Sequence, residues 1–148
     1  MKKDSYSVCI VDDSTVDVFI TKSVLQQIPA ISKVYVFNDP EAALEFLEEE
    51  SKMNRMFPDI ILLDIMMPVI DGFEWIDEVN DLFAEEFIPK IFMLSHSDMK
   101  RDFESFKKQR LSKVLLKKPL DKEIFLKHLE EQFAESDTEN IITNPPRL

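Results

Sequence analysis

The chain has 148 residues, a length that suits one domain burying roughly two thirds of its unfolded surface in a single core. Its net charge of −11 argues against general binding to nucleic-acid phosphates. Its one glycine, where roughly ten would be usual at average composition, excludes the glycine-rich loops that cradle phosphates in nucleotide-binding folds.

The first element in chain order is an apolar run from Tyr6 to Val11 that does not alternate and ends in Asp12-Asp13. Ser14 can cap a following helix in which Val16, Phe19, Ile20, Val24 and Ile28 recur at helical spacing, with Pro29 marking its end. Lys33 to Phe37 reads as a short second strand. Asp39-Pro40 then places a cap before a proline at the first helical position, and Ala43, Phe46 and Leu47 give that helix one apolar side. Ile60 to Leu63 is a third apolar run, and it delivers Asp64 to a loop that contains Pro68 and Gly72. Gly72 opens a helix with Phe73, Ile76 and Phe83 on one face.

Lys90 to Leu94 is a fourth strand ending at Ser95. Ser97 or Asp98 is expected to cap a fourth helix in which Met99, Phe103 and Phe106 form the apolar face. Val114 to Leu116 is a fifth strand leading to Lys118-Pro119, and a last helix carries Ile124, Phe125, Leu129 and Phe133. Residues 1–135 form the expected domain and residues 136–148, polar and ending near prolines, an expected loose tail. No apolar stretch approaches the roughly 20 residues that cross a bilayer, and the run Val8 to Val11 is too short for a signal peptide, so a cytoplasmic protein is expected. Cys9 is the sole cysteine and reads as a small buried side chain.

Continuous apolar strands alternating with helices imply a doubly wound α/β fold, with a five-stranded parallel sheet covered by helices on both faces. The carboxyl ends of parallel strands share one edge, which is where such sheets do their chemistry. Asp12, Asp13, Asp64, Ser95 and Lys118 all fall at that edge. Three carboxylates held together repel one another unless a cation joins them, and an all-oxygen set suits Mg²⁺. A hydroxyl and an ammonium opposite the metal could hold the oxygens of a phosphoryl group, with an already ionised carboxylate as nucleophile.

The acidic pair Asp12-Asp13, the loop from Asp64 through Pro68 to Asp71-Gly72, Ser95 and Lys118-Pro119 together resemble the CheY-like receiver domain of two-component response regulators, over about residues 5 to 133. Any one of these motifs alone would say little; the ordered set is specific. The resemblance implies the flavodoxin-like (βα)5 fold, with Asp64 as phosphoacceptor for a sensor histidine kinase or a histidine phosphotransfer protein. It implies Mg²⁺ held by Asp13, Asp64 and the backbone carbonyl of Met66, with Asp12 acting through water. Lys118 would bind a phosphoryl oxygen beside a cis bond to Pro119, and Ser95 would move toward the phosphoryl group and carry the loop into the fourth helix with it.

The implied role is that of a signalling domain rather than an enzyme. A stand-alone switch is expected, with no DNA-binding output, no membrane association and an unspecified downstream protein bound at the face of the fourth helix, fifth strand and fifth helix. Three departures from the family pattern stand out: Leu115 where an aromatic is usual, His96 where a small residue is usual, and no glycine in the turn before the fifth strand. They leave open an alternative, a constitutive docking module with impaired switching. An aspartate-nucleophile phosphohydrolase of the haloacid-dehalogenase type would place a second acid two residues after Asp64, where Met66 stands. Nine basic residues against three acids between 100 and 122 make that segment the chain's positive region.

Overall fold

The computed structural model describes residues 4–53, 57–83, 89–96 and 99–143, with side chains described to Ala134. Five strands, β1 (Tyr6–Val11), β2 (Ile31–Phe37), β3 (Ile60–Asp64), β4 (Lys90–Ser95) and β5 (Ser112–Lys117), alternate with five helices. These are α1 (Thr15–Leu25), α2 (Pro40–Lys52), α3 (Gly72–Phe83), α4 (Met99–Phe106) and α5 (Lys122–Thr143). The strands form one parallel sheet in the order β2-β1-β3-β4-β5. The doubly wound fold expected from the sequence is therefore the observed one. Strands two and five start earlier than expected, at Ile31 and Ser112: Ile31 pairs with Tyr6 and the buried Ser112 with Ile91, and the register shifts just after each of these pairs.

The unalternating strands are explained by burial on both faces. Val8, Ile10, Ile60, Leu62, Phe92 and Leu94 point into one core with Leu25 of α1 and Phe125 and Leu129 of α5. Their neighbours Cys9, Val11, Ile61, Leu63, Ile91 and Met93 point into the other, with Leu47 of α2 and Trp75, Ile76 and Val79 of α3. Successive side chains on a strand face opposite ways, so each apolar run feeds two cores at once. Cys9 sits in the second core, and burial pushes its thiol up to about 12, so it is held as an inert thiol.

Three helix faces differ from those expected. In α1 the buried residues are Val18, Thr21 and Leu25, whereas Val16 and Phe19 are 66% and 72% exposed. Two stripes compete on that helix, and the threonine disguises the one that wins. In α4 the single buried residue is Asp102, and Phe103 is half exposed with Lys107 over its ring. In α5 Phe125 is buried and Ile124 exposed, with Asp121 Oδ1 accepting from the Ile124 amide at 3.0 Å. This last helix runs on to Thr143, into the stretch read as a tail. The cap expected at Ser97 or Asp98 lies outside the described residues, as do 144–148.

The loop after β3 combines two unusual positions. Val69 has φ 71° and is 94% exposed. A β-branched residue in the left-handed region carries about 1–2 kcal/mol of steric penalty. Val69→Asn, which tolerates that conformation, is expected to raise stability by about 1 kcal/mol, read as a higher urea midpoint at unchanged slope. An unchanged midpoint would show that the loop relaxes around valine. Gly72, by contrast, does not have positive φ. Its role is to be without a Cβ, since one built there would lie 2.7 Å from the Asp64 carbonyl oxygen.

Candidate functional site

The strand order reverses direction between β1 and β3, and the crevice beyond their carboxyl ends is the expected place for a site. Asp12 follows β1 directly and is fully buried and held on all sides. Its amide donates to the Phe37 carbonyl at 3.0 Å, its own carbonyl accepts from Asn38 Nδ2 at 3.1 Å, and its Oδ1 accepts from the Ser14 amide at 3.0 Å. Asp13 stands exposed beside it, and Asp64 ends β3 with 3% exposure. Each of the three acids offers an oxygen within 4.8 Å of the others.

Lys118 enters from the end of β5, where its amide donates to the Ser95 carbonyl at 2.8 Å and its bond to Pro119 is cis, as the family resemblance implied. Its Nζ donates to Asp12 Oδ2 and to Asp17 Oδ2, each at 2.8 Å, and lies 3.0 Å from Asp64 Oδ1. Burial works against the ammonium, but the hydrogen bonds to Asp12 and Asp17 and the charge of Asp64 more than offset it and hold its pKa above the ordinary lysine value. The same contact with Lys118 lowers Asp17.

Despite the 3.0 Å approach of Lys118, Asp64 Oδ1 is buried without a hydrogen bond, while the lysine donates to Asp12 and Asp17. Burial, followed by the charge of Asp12, pushes the Asp64 carboxyl up to about 7, against the opposing pull of Lys118. An acidic oxygen with no donor, in an all-oxygen set, fits a hard divalent cation such as Mg²⁺. Asp12, Asp13 and Asp64 could hold one.

Ser95, at the end of β4, is fully buried, but its hydroxyl donates to Asp102 Oδ2 on α4 at 2.5 Å. Met66 lies in the loop two residues after Asp64 with its side chain exposed, its sulfur 3.8 Å from Arg101 Nη2. Sequence reasoning missed Asp17 and Asp102. Both had a signal: Asp17 lies in the first turn of the helix that opens at the strand-end edge, and Asp102 shares the i, i+3, i+7 face of Met99 and Phe106. His96 is exposed and lines a cavity of about 190 Å³ with Asp17, Ile20, Thr21, Lys118 and Pro119. Leu115 is half-buried against the α2–α3 core, and the glycine-free turn before β5 is held by Gln109, whose side chain donates to the Phe106 and Ser112 carbonyls and accepts from the Ser112 amide.

Comparison with known proteins agrees with this fold. The sequence model of the response regulator receiver domain matches residues 8–130. The fold is similar to that of a two-component response regulator from Cytophaga hutchinsonii, with TM-score 0.81 and 25% identity over 90% of this chain and 99% of that one. It is also similar to a response regulator receiver protein from Dyadobacter fermentans, with TM-score 0.75 and 29% identity over 86% and 97% of the two chains. A protein-glutamate methylesterase/protein-glutamine glutaminase of Shewanella oneidensis is 38% identical over 72 residues, which are 49% of this chain but 18% of the length of that protein. Among the described residues no helix is long and apolar enough to cross a membrane. With the family match spanning most of its length and the acids of β1 and β3 meeting the lysine of β5 at one sheet edge, the chain belongs to the response regulator receiver domain family.

Proposed function

We propose that Asp64 accepts a phosphoryl group from a phosphohistidine of a sensor kinase or phosphotransfer protein, and that the resulting acyl phosphate controls a contact with a downstream protein. The observation that carries this reading is the buried Asp64 Oδ1, left without a hydrogen bond between Asp12, Asp13 and Lys118. In the transfer an Asp64 oxygen forms the new bond to phosphorus, the phosphorus–nitrogen bond breaks, and the imidazole nitrogen keeps that electron pair. Asp12, Asp13 and Asp64, with the Met66 carbonyl, would hold Mg²⁺, which when bound supplies positive charge to the phosphoryl oxygens. Lys118 adds a second, fixed positive charge, and Ser95 can add a hydroxyl donor. The 1–135 unit carries this chemistry in our reading, with 136–148 as an appended segment whose first part continues α5 to Thr143. The exposed Lys100, Arg101, Lys107, Lys113 and Lys117 favour an acidic surface on the downstream partner at α4 and β5.

Incubation with Mg²⁺ and acetyl phosphate should add the mass of one phosphoryl group to the intact protein. Asp64→Asn or removal of Mg²⁺ by chelation should reduce uptake to background. A wild type that never takes up the group defeats the proposal. The half-buried Leu115, which has no ring to reorient, favours a second reading in which the domain docks constitutively. In that case beryllofluoride with Mg²⁺ would leave the amide spectrum of α4 and β5 unchanged.

A further inference from the structure

Helix α4 is anchored in an unusual way. Met99 and Phe106 are only half-buried and Phe103 faces solvent, so among its residues the one that is buried is the carboxylate of Asp102. Asp102 Oδ2 accepts the Ser95 hydroxyl at 2.5 Å, and Arg101 Nε lies 3.8 Å from its Oδ1. The length is that of a charge-assisted O–H···O⁻ bond, and both partners are shielded from water. The bond ties the inner face of α4 to the end of β4, one residue beyond Leu94, which pairs with Asp64.

A serine hydroxyl has one proton to donate. Ser95 can give it to Asp102 or to a phosphoryl oxygen on Asp64, but not to both. We propose that Asp102 is a positioning residue for the phosphoryl site: it holds the Ser95 hydroxyl on α4 while Asp64 is free, and loses it when Asp64 carries a phosphoryl group. The proposal rests on the reading of Asp64 as phosphoacceptor. Its consequence falls on α4, because a buried carboxylate deprived of its donor must reach water or a new donor, and either requires the start of the helix to shift. The exposed base of Arg101 and the aromatic of Phe103 move with that turn. The exchange needs no aromatic at position 115, so it supplies a link from Asp64 to α4 that Leu115 by itself does not.

The test is the affinity for beryllofluoride in the presence of Mg²⁺, titrated on wild type, Asp102→Ala, Asp102→Asn, Ser95→Ala and the Ser95→Ala/Asp102→Ala double variant. Freed of its competitor, Ser95 should bind the mimic in Asp102→Ala about 10- to 100-fold more tightly than wild type, the range set by one hydrogen bond to a charged group. Asp102→Asn, which keeps the shape and a neutral acceptor, should fall between, and it decides the matter should the alanine variant fail to fold. The double variant should bind no more tightly than Ser95→Ala alone, an outcome that general loosening of α4 would not produce. Unchanged or weaker binding in the Asp102 variants, or a gain that survives in the Ser95→Ala background, overturns the proposal while phosphoryl uptake by wild type leaves the Asp64 reading standing. A wild type that neither binds the mimic nor takes up a phosphoryl group ends both.

Discussion

Lys118→Met is expected to destabilise the magnesium-free protein by about 3 kcal/mol at pH 8 and by much less at pH 5, the scale being that of breaking a buried ion pair by removing one partner. Methionine keeps the length and apolar stem of the lysine, so the loss isolates the charge. That charge sits 2.8 Å from Asp12, 2.8 Å from Asp17 and 3.0 Å from Asp64, and its removal leaves acids facing one another with nothing between them. The folded-state pKa of Lys118 is raised, so its contribution is fully present below the ordinary lysine value and is lost only as pH rises through the still higher folded value. It therefore operates at both test pH values.

The pH dependence comes from Asp64. Its folded pKa of about 7 lies above its ordinary value, so the protein is favoured with Asp64 protonated, and that advantage fades as pH rises from about 4 through 7. Without Lys118 the folded pKa climbs further, and at pH 5 the acid simply keeps its proton, which caps the loss. At pH 8 it cannot do so without a larger penalty. Urea unfolding of wild type, Lys118→Met, Asp64→Asn and the double variant at the two pH values checks this. Asp64→Asn alone should be more stable than wild type at pH 8, and it should relieve most of the Lys118→Met loss. Millimolar Mg²⁺ should restore part of the loss to Lys118→Met but not to the double variant. Equal losses at pH 5 and pH 8, unrelieved by Asp64→Asn, would mean that packing of the side chain and not stranded charge is what was removed.

Much of this site could be read from the sequence because strands carry their message in order. Ile60 to Leu63 is apolar at every position, which only a strand buried on both faces requires, and the polar residue that stops such a run must sit at the strand's end. The same logic located Asp12 after Val11 and Ser95 after Leu94; after Leu116 it stops at Lys117, and Lys118 stood out only through Pro119 and the family pattern. Helix faces were less legible. In α1 the expected stripe of Val16, Phe19, Ile20, Val24 and Ile28 meets the core only at its later members Val24 and Ile28, whereas earlier in the helix Val18, Thr21 and Leu25 are the buried positions, and Thr21 breaks the apolar pattern of that face. In α4 the apolar residues invite a stripe through Phe103, but the sheet edge there offers Ser95 a partner, and a hydrogen bond to Asp102 turns the helix by about one position. An acid turned inward has no hydropathy signature. Its only sign is that 99, 102 and 106 share a face.

Gly72→Ala should cost about 2 kcal/mol, and whether Mg²⁺-dependent phosphoryl uptake falls with it tells which element gives way. Alanine is the better helix former by up to about 1 kcal/mol in a helix interior, and less at a first turn, so propensity alone would predict a gain. The N-terminus of α3 is already well made: Asp71 Oδ1 accepts from the Glu74 amide at 2.9 Å and Glu74 Oε1 accepts from the Asp71 amide at 3.0 Å, a reciprocal cap that the substitution leaves alone. The obstacle is the close approach of the helix to β3. Gly72 donates its amide to the Ile65 carbonyl at 2.9 Å, and a Cβ on it would lie 2.7 Å from the Asp64 carbonyl oxygen and 3.0 Å from the Ile65 Cα. Both atoms are backbone, so no rotamer change relieves them, and overpacking of this kind costs about 1–3 kcal/mol. Either the start of α3 withdraws and gives up the Ile65 hydrogen bond, or the end of β3 shifts and takes Asp64 with it. Denaturant melts together with initial rates of acetyl phosphate uptake separate the two: a stability loss with a normal rate means that the helix moved, and a loss in both means that the acid did. An alanine variant as stable as wild type would show that the loop from Ile65 to Asp71 can absorb a methyl group, and the single glycine of the chain would then owe its place to something other than the space beside Asp64.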